Sequence, residues 1–164
     1  MKSFLMGIAS FLLALYFFLF LHDYNLNKYY FNDLKIVCEE ASAAGSLFIN
    51  WEEYGEGKIV FDYEEAEEAI DAVIITMLDL NPHDMSPKET SYWTSNITRD
   101  IIYYDDNSTS DSVTDPNTGL PITDPHVIVT INAGKARYRL PFLKDIPDNI
   151  RSSAHSWDDR KNEY

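Results

Sequence analysis

An uncharged apolar run near the N-terminus, Phe4 to Leu21, constrains this chain more than any other feature, and Ser10 is its only clearly polar residue. As an α-helix rising about 1.5 Å per residue, the run is about 27 Å long, close to the ~30 Å hydrocarbon core of a bilayer. Lys2 precedes the run and a mostly acidic chain follows it, which favours a cytoplasmic N-terminus. The sequence therefore predicts a single-pass cell-membrane protein with residues 1–3 in the cytoplasm, a transmembrane helix at 4–21 and the remainder outside.

A cleaved signal peptide is the alternative explanation of this run. The apolar core of such a peptide is usually about 7–15 residues long and ends at small residues such as Ala-x-Ala. Here the run ends Phe20-Leu21-His22-Asp23, which offers no such site. The sequence therefore favours a retained anchor.

The charge balance narrows the choice of partners. The chain carries 13 lysines and arginines against 27 aspartates and glutamates, a formal net charge of −14. Binding to nucleic acid requires a basic patch, and peripheral docking on anionic lipid requires clustered basic residues. This balance argues against both, and we interpret the acidic residues as a solvated surface.

Cys38 is the only cysteine of the chain. A single cysteine excludes an intramolecular disulfide and any cysteine-based metal cluster. Two alternatives remain for Cys38. It either forms a disulfide with a second chain outside the membrane or is a small, partly buried residue on a helix. The helical pattern around Cys38 favours the second.

An amphipathic helix is predicted to follow the membrane segment, either continuous with it or after a short break. No glycine or proline interrupts residues 22–44, and apolar residues recur there at spacings of three and four. This spacing places them on one face of an α-helix. The face continues to about residue 48 and consists of Leu26, Tyr30, Leu34, Val37, Ala41, Ala44 and Phe48. We predict that the face from Leu34 to Phe48 packs against other elements.

A second amphipathic helix is predicted at about 63–80. Asp62 precedes it with Glu65 three residues later, which is the pattern of a capping box. Asn81-Pro82 ends it. Its predicted apolar face consists of Ala66, Ile70, Val73, Met77 and Leu80.

The rest of the chain is predicted to form a small antiparallel β-sheet. Runs rich in β-branched and aromatic residues predict strands at 92–104 and 127–142, with a turn or bulge near Gly134. A short strand at 58–61 and an edge strand at 152–156 complete the prediction. The fold class is therefore α+β.

Domain boundaries follow from the same pass along the chain. Residues 22–156, the outer domain, are expected to form one extracytoplasmic unit. Within it, residues 105–125 are rich in Asp, Ser, Thr, Asn, Gly and Pro, which predicts a long exposed loop. Residues 157–164 are predicted to be a charged tail.

No pattern in the sequence indicates catalysis. The chain contains no GxSxG, P-loop, HExxH or CxxC motif. Its histidines, which show no ligand spacing among themselves, are His22, His83, His126 and His155. The loop Asp115-Pro-Asn-Thr-Gly119 does not keep the EF-hand register and predicts a plain turn. We therefore predict no catalytic, cofactor or metal site, and a protein that is not an enzyme.

Small residues mark one face of the membrane helix. Gly7 and Ser10 are three residues apart, and Ser10 and Ala14 are four apart. In a bilayer, small residues at this spacing allow the backbones of two helices to approach closely. The face therefore either contacts another helix or simply contacts lipid.

Four sequence blocks, taken in order, carry a resemblance to a known family. They are the apolar helix, DLKIVCEEASAAGSLFI at 33–49, GKIVFDYEEAEEAIDAVIITMLDLN at 57–81, and VIVTINAGKARYRLPFL with IRSSAHS at 127–143 and 150–156. Together they resemble TadE-like pseudopilins of bacterial tight-adherence (Flp) pilus systems, especially those of Gram-positive bacteria. The resemblance implies a pilin-like structural component of a surface pilus or related secretion apparatus. Its implied partners are other pilin-like subunits, pilus or secretion membrane proteins and the lipid bilayer.

One departure from that family affects processing. Prepilin-like members have a glycine near the start of the apolar run and a glutamate five residues later. Here Gly7 is followed at that offset by Leu12, and the run contains no acidic residue. The departure argues against processing by a prepilin peptidase and favours a permanently membrane-held component. The alternative is a membrane-anchored exported binding or accessory protein with no enzymatic activity.

Overall fold

A single helix, α1 (Lys2–Gly45), contains both the apolar run and the amphipathic segment that follows it. The computed structural model describes residues 1–108, 113–140, 143 and 147–157. The 44 residues of α1 make a rod about 66 Å long. The predicted long N-terminal helix is confirmed, and it has no break. It ends at Gly45 rather than near residue 48, so Phe48 lies beyond the helix.

The C-terminal half of α1 packs against the rest of the fold. Leu34, Cys38 and Ala41 have 0% of their surface exposed. At the end of the helix, a Cβ added to Gly45 would lie 2.6 Å from Ile70 Cδ1. Glycine at this position therefore permits α1 to approach the second long helix closely.

Two further helices follow α1 in the described ranges. The first, α2 (Trp51–Gly55), is one short turn capped by Asn50. The second, α3 (Tyr63–Met77), begins as predicted, because the Asp62 side chain accepts a hydrogen bond from the backbone N–H of Glu65 at 3.3 Å.

The predicted inner face of α3 was partly wrong. Its buried residues are Ala66, Ile70 and Ile74, whereas Met77 is 46% exposed. Two adjacent rows of apolar residues lie on α3. The row of Ala66, Ile70 and Ile74, in which residues are four apart, is buried, and the row that continues to Met77 is not. The amphipathic pattern predicted the helix but not which of two adjacent rows would be buried.

Within the described residues, five strands build the β-structure: β1 (Thr98–Tyr104), β2 (Val113–Thr114), β3 (Pro121–Ile122), β4 (His126–Asn132) and β5 (Ile150–Ser156). The main sheet has the antiparallel order β1-β4-β5, with Val129 paired to both Ile101 and Ser153. The predicted antiparallel sheet and its C-terminal edge strand are confirmed. On central β4, alternate residues Val127, Val129 and Ile131 are fully buried and form the floor of the core against α1.

Two predicted strands are shorter than expected. β1 begins at Thr98 rather than at 92, and β4 ends at Asn132, just before Gly134 with its positive φ of 61°. Beyond that glycine, residues 135–137 run beside residues 92–94 through an isolated antiparallel bridge, which consists of two backbone hydrogen bonds. Residues 141–142, which the predicted strand included, lie outside the described residues.

The short strand predicted at 58–61 is not present. In its place a single antiparallel bridge joins Ile49 to Phe61. The bridge consists of two backbone hydrogen bonds, from Asn50 N–H to the Val60 carbonyl at 2.8 Å and from Asp62 N–H to the Phe48 carbonyl at 3.1 Å. The pairing stops there because Asp62 is the N-cap of α3.

The segment 105–125, predicted as a long loop, contains a small hairpin made of β2 and β3. The predicted turn at its tip is confirmed: the Asp115 carboxylate accepts from Asn117 N–H at 2.7 Å, and Gly119 has a φ of 72°. Asn117 Nδ2 donates to Ser153 Oγ at 2.9 Å, which ties the hairpin to β5. Residues 109–112 are outside the described residues.

The predicted tail at 157–164 begins with a packed residue. The ring of Trp157 contacts Tyr54 with centroids 5.6 Å apart, and the backbone N–H of Trp157 donates to the Pro125 carbonyl at 3.1 Å. Residues 158–164 lie outside the described part of the chain.

Burial along α1 generates the first testable prediction. Ala41 is fully buried, Ala44 is half-buried and Glu40 is exposed. Ala41→Lys should lower the free energy of unfolding by several kcal/mol, since it buries an unpaired charge, whereas Glu40→Lys should change it by about ±0.5 kcal/mol or less. Ala44→Lys should fall between them. Unfolding curves in detergent measure the free energy of unfolding of each variant. Equal stability of the Ala41 and Glu40 variants would contradict this packing.

Candidate functional site

The N-terminal half of α1 is the first part of the candidate site. Residues 1–18 are all exposed, and none of the membrane-length apolar window is buried inside the protein. Monomeric soluble proteins rarely expose so large a continuous apolar surface. In the part of the chain that the structure describes, one helix is therefore long and apolar enough to cross a membrane.

The small-residue face of this segment is open. Gly7, Ser10 and Ala14 are all exposed, and a Cβ added to Gly7 would meet nothing within 4 Å. None of the three takes part in the core of the protein. Their contact with another helix stays a prediction.

The remaining residues of the predicted packing face lie in the outer domain. Leu34, Val37 and Ala41 are buried in the core, whereas Ala44 and Phe48 are only partly buried. Cys38, Ser42 and Gly45 are buried in addition, so the buried face is centred slightly to one side of the predicted stripe. The fold thus separates the predicted residues into an open group on the anchor and a covered group about 30 Å farther along the same helix.

The junction between the anchor and the outer domain depends on Asp23. This residue is only 2% exposed, and its Oδ2 accepts hydrogen bonds from the backbone N–H groups of Arg139 at 2.7 Å and of Leu140 at 3.2 Å. Hydrogen bonds to a charged acceptor are about twice as strong as neutral ones. Leu19, one turn earlier on the same face, is partly buried against the core. The outer domain therefore reaches down α1 as far as the end of the apolar run.

Sequence reasoning missed this role of Asp23, which it read as an acidic flank of the membrane segment. The available signal was the alternation Lys-Ala-Arg-Tyr-Arg-Leu at 135–140, in which every second residue is apolar. Such a segment has one buried face and needs backbone partners. Asp23 supplies two of them.

An aromatic cluster holds α1 two turns beyond Asp23. The rings of Tyr30 and Tyr92 stack with centroids 4.1 Å apart, and Trp93 meets Tyr92 edge-on at 5.3 Å. The Tyr92 hydroxyl donates to Asn27 Oδ1 at 3.4 Å, and burial raises the pKa of this tyrosine. The cluster fixes the loop that contains Tyr92 to the helix.

Beside this cluster lies an open groove of about 440 Å³. It is bounded by α1, α3 and the segment around residues 90–93, and the exposed apolar side chains Ile36 and Met77 line it. Asp33 and Asp79 also line the groove, and Asp79 is ion-paired with Lys88. Its lining offers an apolar contact surface with an acidic border.

The Cys38 thiol is packed inside the fold. Cys38 is fully buried, its thiol donates to the Arg151 carbonyl at 3.3 Å, and burial raises its pKa to about 12. Its helical position is as predicted, with deeper burial than expected, and pairing with a second chain is excluded in this fold. Among the described residues, no group of three or more His, Cys, Asp or Glu side chains is placed to hold a metal ion.

Two charged clusters connect the helices to the sheet. Arg99 on β1 binds Asp71 and Glu67 on α3, with its Nη2 at 2.8 Å from Asp71 Oδ2. The Asp105 carboxylate, 6% exposed, accepts from Tyr63 Oη at 2.8 Å and from the backbone N–H of Phe61. Both clusters position the sheet on α3.

Comparison of the chain with protein-family models, with curated proteins and with solved structures found no match. What the protein does must therefore be inferred from its own residues and geometry.

The geometry at Asp23 generates the second prediction. Asp23→Ala removes the acceptor of two backbone N–H groups, and leaving a buried donor unsatisfied costs about 1–3 kcal/mol. Amide hydrogen exchange at Arg139 and Leu140 should accelerate by tenfold or more, since each 1.4 kcal/mol corresponds to a factor of about ten. Asn25→Ala, an exposed neighbour on α1, is the control and should leave both rates unchanged. Unchanged exchange in the Asp23 variant would show that the carboxylate does not hold this segment.

Proposed function

We propose that this protein is a membrane-anchored, pilin-like structural component of a bacterial surface pilus or related secretion apparatus. The observation that carries the proposal is the division of one unbroken helix into two halves. The first half of α1 is apolar and exposed, and the second half is packed against α3 and an antiparallel sheet. This is the arrangement that the resemblance to TadE-like pseudopilins leads one to expect.

The length of α1 supports a structural role. From residue 22 to Gly45 the helix extends about 36 Å beyond the apolar run, and the outer domain covers it from Leu19 onward. A rod held in this way keeps the outer domain at a fixed distance from the bilayer. Other pilin-like subunits and membrane proteins of the apparatus are the proposed partners, and the open face of Gly7, Ser10 and Ala14 is the proposed contact.

The absence of an acidic residue from the apolar run supports permanent anchoring. An ionised carboxylate within a bilayer is costly and normally serves a function such as pairing with a neighbouring group. Leu12 stands where prepilin-like members of the resembled family have a glutamate. We therefore assign the protein to the membrane-held part of the apparatus, with the outer domain outside the cell membrane.

The proposal involves no catalysis. Burial moves the pKa values of Cys38 and of Tyr63 up to about 12. A thiol or a phenol with such a pKa stays protonated at neutral pH and is a poor nucleophile or base. These groups suit packing and hydrogen bonding.

A second candidate is a membrane-anchored binding or accessory protein. The groove beside Tyr30, with the exposed side chains Ile36 and Met77 on its walls, favours it, because concave apolar surfaces commonly receive ligands or partner segments. Ile36→Glu with Met77→Glu separates the two candidates. These changes should abolish partner capture by a binding protein and leave assembly through the anchor intact.

The proposed topology is tested by protease access. A specific protease site inserted at 118–119, in the exposed hairpin turn, should be cut in intact spheroplasts. The same site placed at residues 1–3 is the control and should be cut only after lysis. Protection of the hairpin site until lysis would overturn the orientation.

The proposed role of the anchor is tested by changing its small-residue face. Gly7→Leu with Ser10→Leu should preserve membrane insertion and abolish crosslinks to neighbouring apparatus proteins, because the added bulk prevents close helix contact. Ala9→Leu adds bulk on the opposite side of the helix and should leave the crosslinks unchanged. An unchanged crosslinking pattern in the double variant would mean that the anchor only tethers, so that residues 22–164 carry the function.

A further inference from the structure

A basic segment of the outer domain is fixed at the point where α1 leaves the apolar run. Lys135, Arg137 and Arg139 alternate with apolar residues, and no acidic residue interrupts them. The apolar partners Ala136, Tyr138 and Leu140 are 4–8% exposed, whereas both arginines are exposed. The alternation therefore directs apolar side chains inward and guanidinium groups outward.

Two contacts at opposite ends of the packed half of α1, at Gly45 and at Asp23, define the direction of this segment. Val127, at the start of β4, lies beside Gly45 at the distal end of α1. Twelve residues later, the backbone N–H of Arg139 donates to Asp23 at 2.7 Å. From Val127 to Arg139 the chain therefore descends along α1 toward the membrane end.

The position of Asp23 fixes the depth of Arg139. Asp23 follows the last residue of the apolar run, Leu21, by about 3 Å along the helix axis, and follows the exposed Phe18 by about 7.5 Å. The interfacial layer on each side of a ~30 Å hydrocarbon core is about 5–8 Å thick. With α1 across a bilayer, the backbone of Arg139 is at the level of the lipid headgroups.

The arginines lack carboxylate partners within the described part of the chain. The other described arginines are engaged, Arg99 by Asp71 and Glu67, and Arg151 by stacking on Phe31 at 3.8 Å. Neither Arg137 nor Arg139 forms an ion pair with a described acidic residue. The next acidic residue of α1 after Asp23 is Asp33, about 15 Å farther from the membrane.

We propose that Arg137 and Arg139 form a binding site for the phosphate groups of anionic lipids in the outer leaflet of the membrane that α1 spans. The guanidinium fork matches phosphate oxygens in a bidentate manner. The inference rests on the proposed membrane anchoring. The overall charge of −14 argues against peripheral docking only when it is averaged over the surface. Near these two arginines, the Asp23 carboxylate is buried and accepts from backbone N–H groups, so both exposed guanidinium groups keep their charge unpaired by any described acidic residue. The positive-inside rule counts basic residues within about 15–20 residues of a transmembrane helix, so Arg137 and Arg139 do not bear on the predicted orientation of α1.

Lipid retention tests the site. The chain is reconstituted into vesicles of equal parts phosphatidylcholine and phosphatidylglycerol, extracted in mild detergent, and its retained lipids are measured by mass spectrometry. The unmodified chain should retain phosphatidylglycerol preferentially. Arg137→Gln with Arg139→Gln should reduce the preference by about fivefold for each arginine at low salt, and Arg137→Lys with Arg139→Lys should keep most of it.

The matched control removes two positive charges far from the junction. Lys35→Gln with Lys58→Gln, both exposed, should retain the preference of the unmodified chain. An equal loss in this control, or no loss in the glutamine variant of the arginines, would overturn the site. Flotation with the vesicles separates this inference from the anchoring itself. A chain that floats without a lipid preference contradicts only the site, whereas a chain that does not float contradicts the anchoring and the site together.

Depth measurement provides a second test that does not depend on charge. Cys38 is fully buried, so a cysteine introduced at Arg139 can be labelled selectively with a fluorophore. A quencher attached to lipid headgroups should quench this label and should not affect a label at Lys58→Cys. Equal quenching at the two positions would overturn the placement of Arg139 in the headgroup layer.

Discussion

The packing of the second half of α1 against the core is the interaction on which the rest of the structure depends. Leu34, Cys38 and Ala41 are fully buried there, and Gly45 lets Ile70 of α3 approach at its end. β4 and β5 lie across the same helix. Without this contact the sheet would lose the apolar surface that covers its inner face, and the outer domain would lose its attachment to the anchor.

Asp23 extends this contact to the membrane end of the helix. Hydrophobic packing alone tolerates sliding of one surface over another, since it is not directional. The two backbone hydrogen bonds that Asp23 accepts at 2.7 and 3.2 Å are directional and fix the register of residues 139–140 on α1. A single buried carboxylate thus defines where the outer domain stops and the apolar run begins.

The sequence predicted those elements whose signals are local. The uninterrupted spacing of three and four, and the Asp62 cap, placed α1 and α3, and the β-rich runs placed the main sheet. It did not predict the burial of Ile74 instead of Met77, because the shape of the partner surface chooses between adjacent apolar rows. It did not predict the role of Asp23 either, since the partners of that residue are 116 and 117 positions away. The apolar first half of α1 could therefore be predicted from the sequence, whereas the contact of Asp23 with residues 139–140 could not.

Because α1 has no break, a tilt of its first half also moves its second half and the outer domain packed on it. Transmembrane helices tilt on average by about 20° from the bilayer normal. A hinge at the membrane surface would isolate the outer domain from that tilt, whereas α1 runs without interruption from Lys2 to Gly45. Over the ~36 Å beyond the apolar run, a 20° tilt displaces the far end sideways by about 12 Å. With α1 across a bilayer, local bilayer thickness is one of the influences on this tilt and thereby becomes a mechanical input to the position of the outer domain.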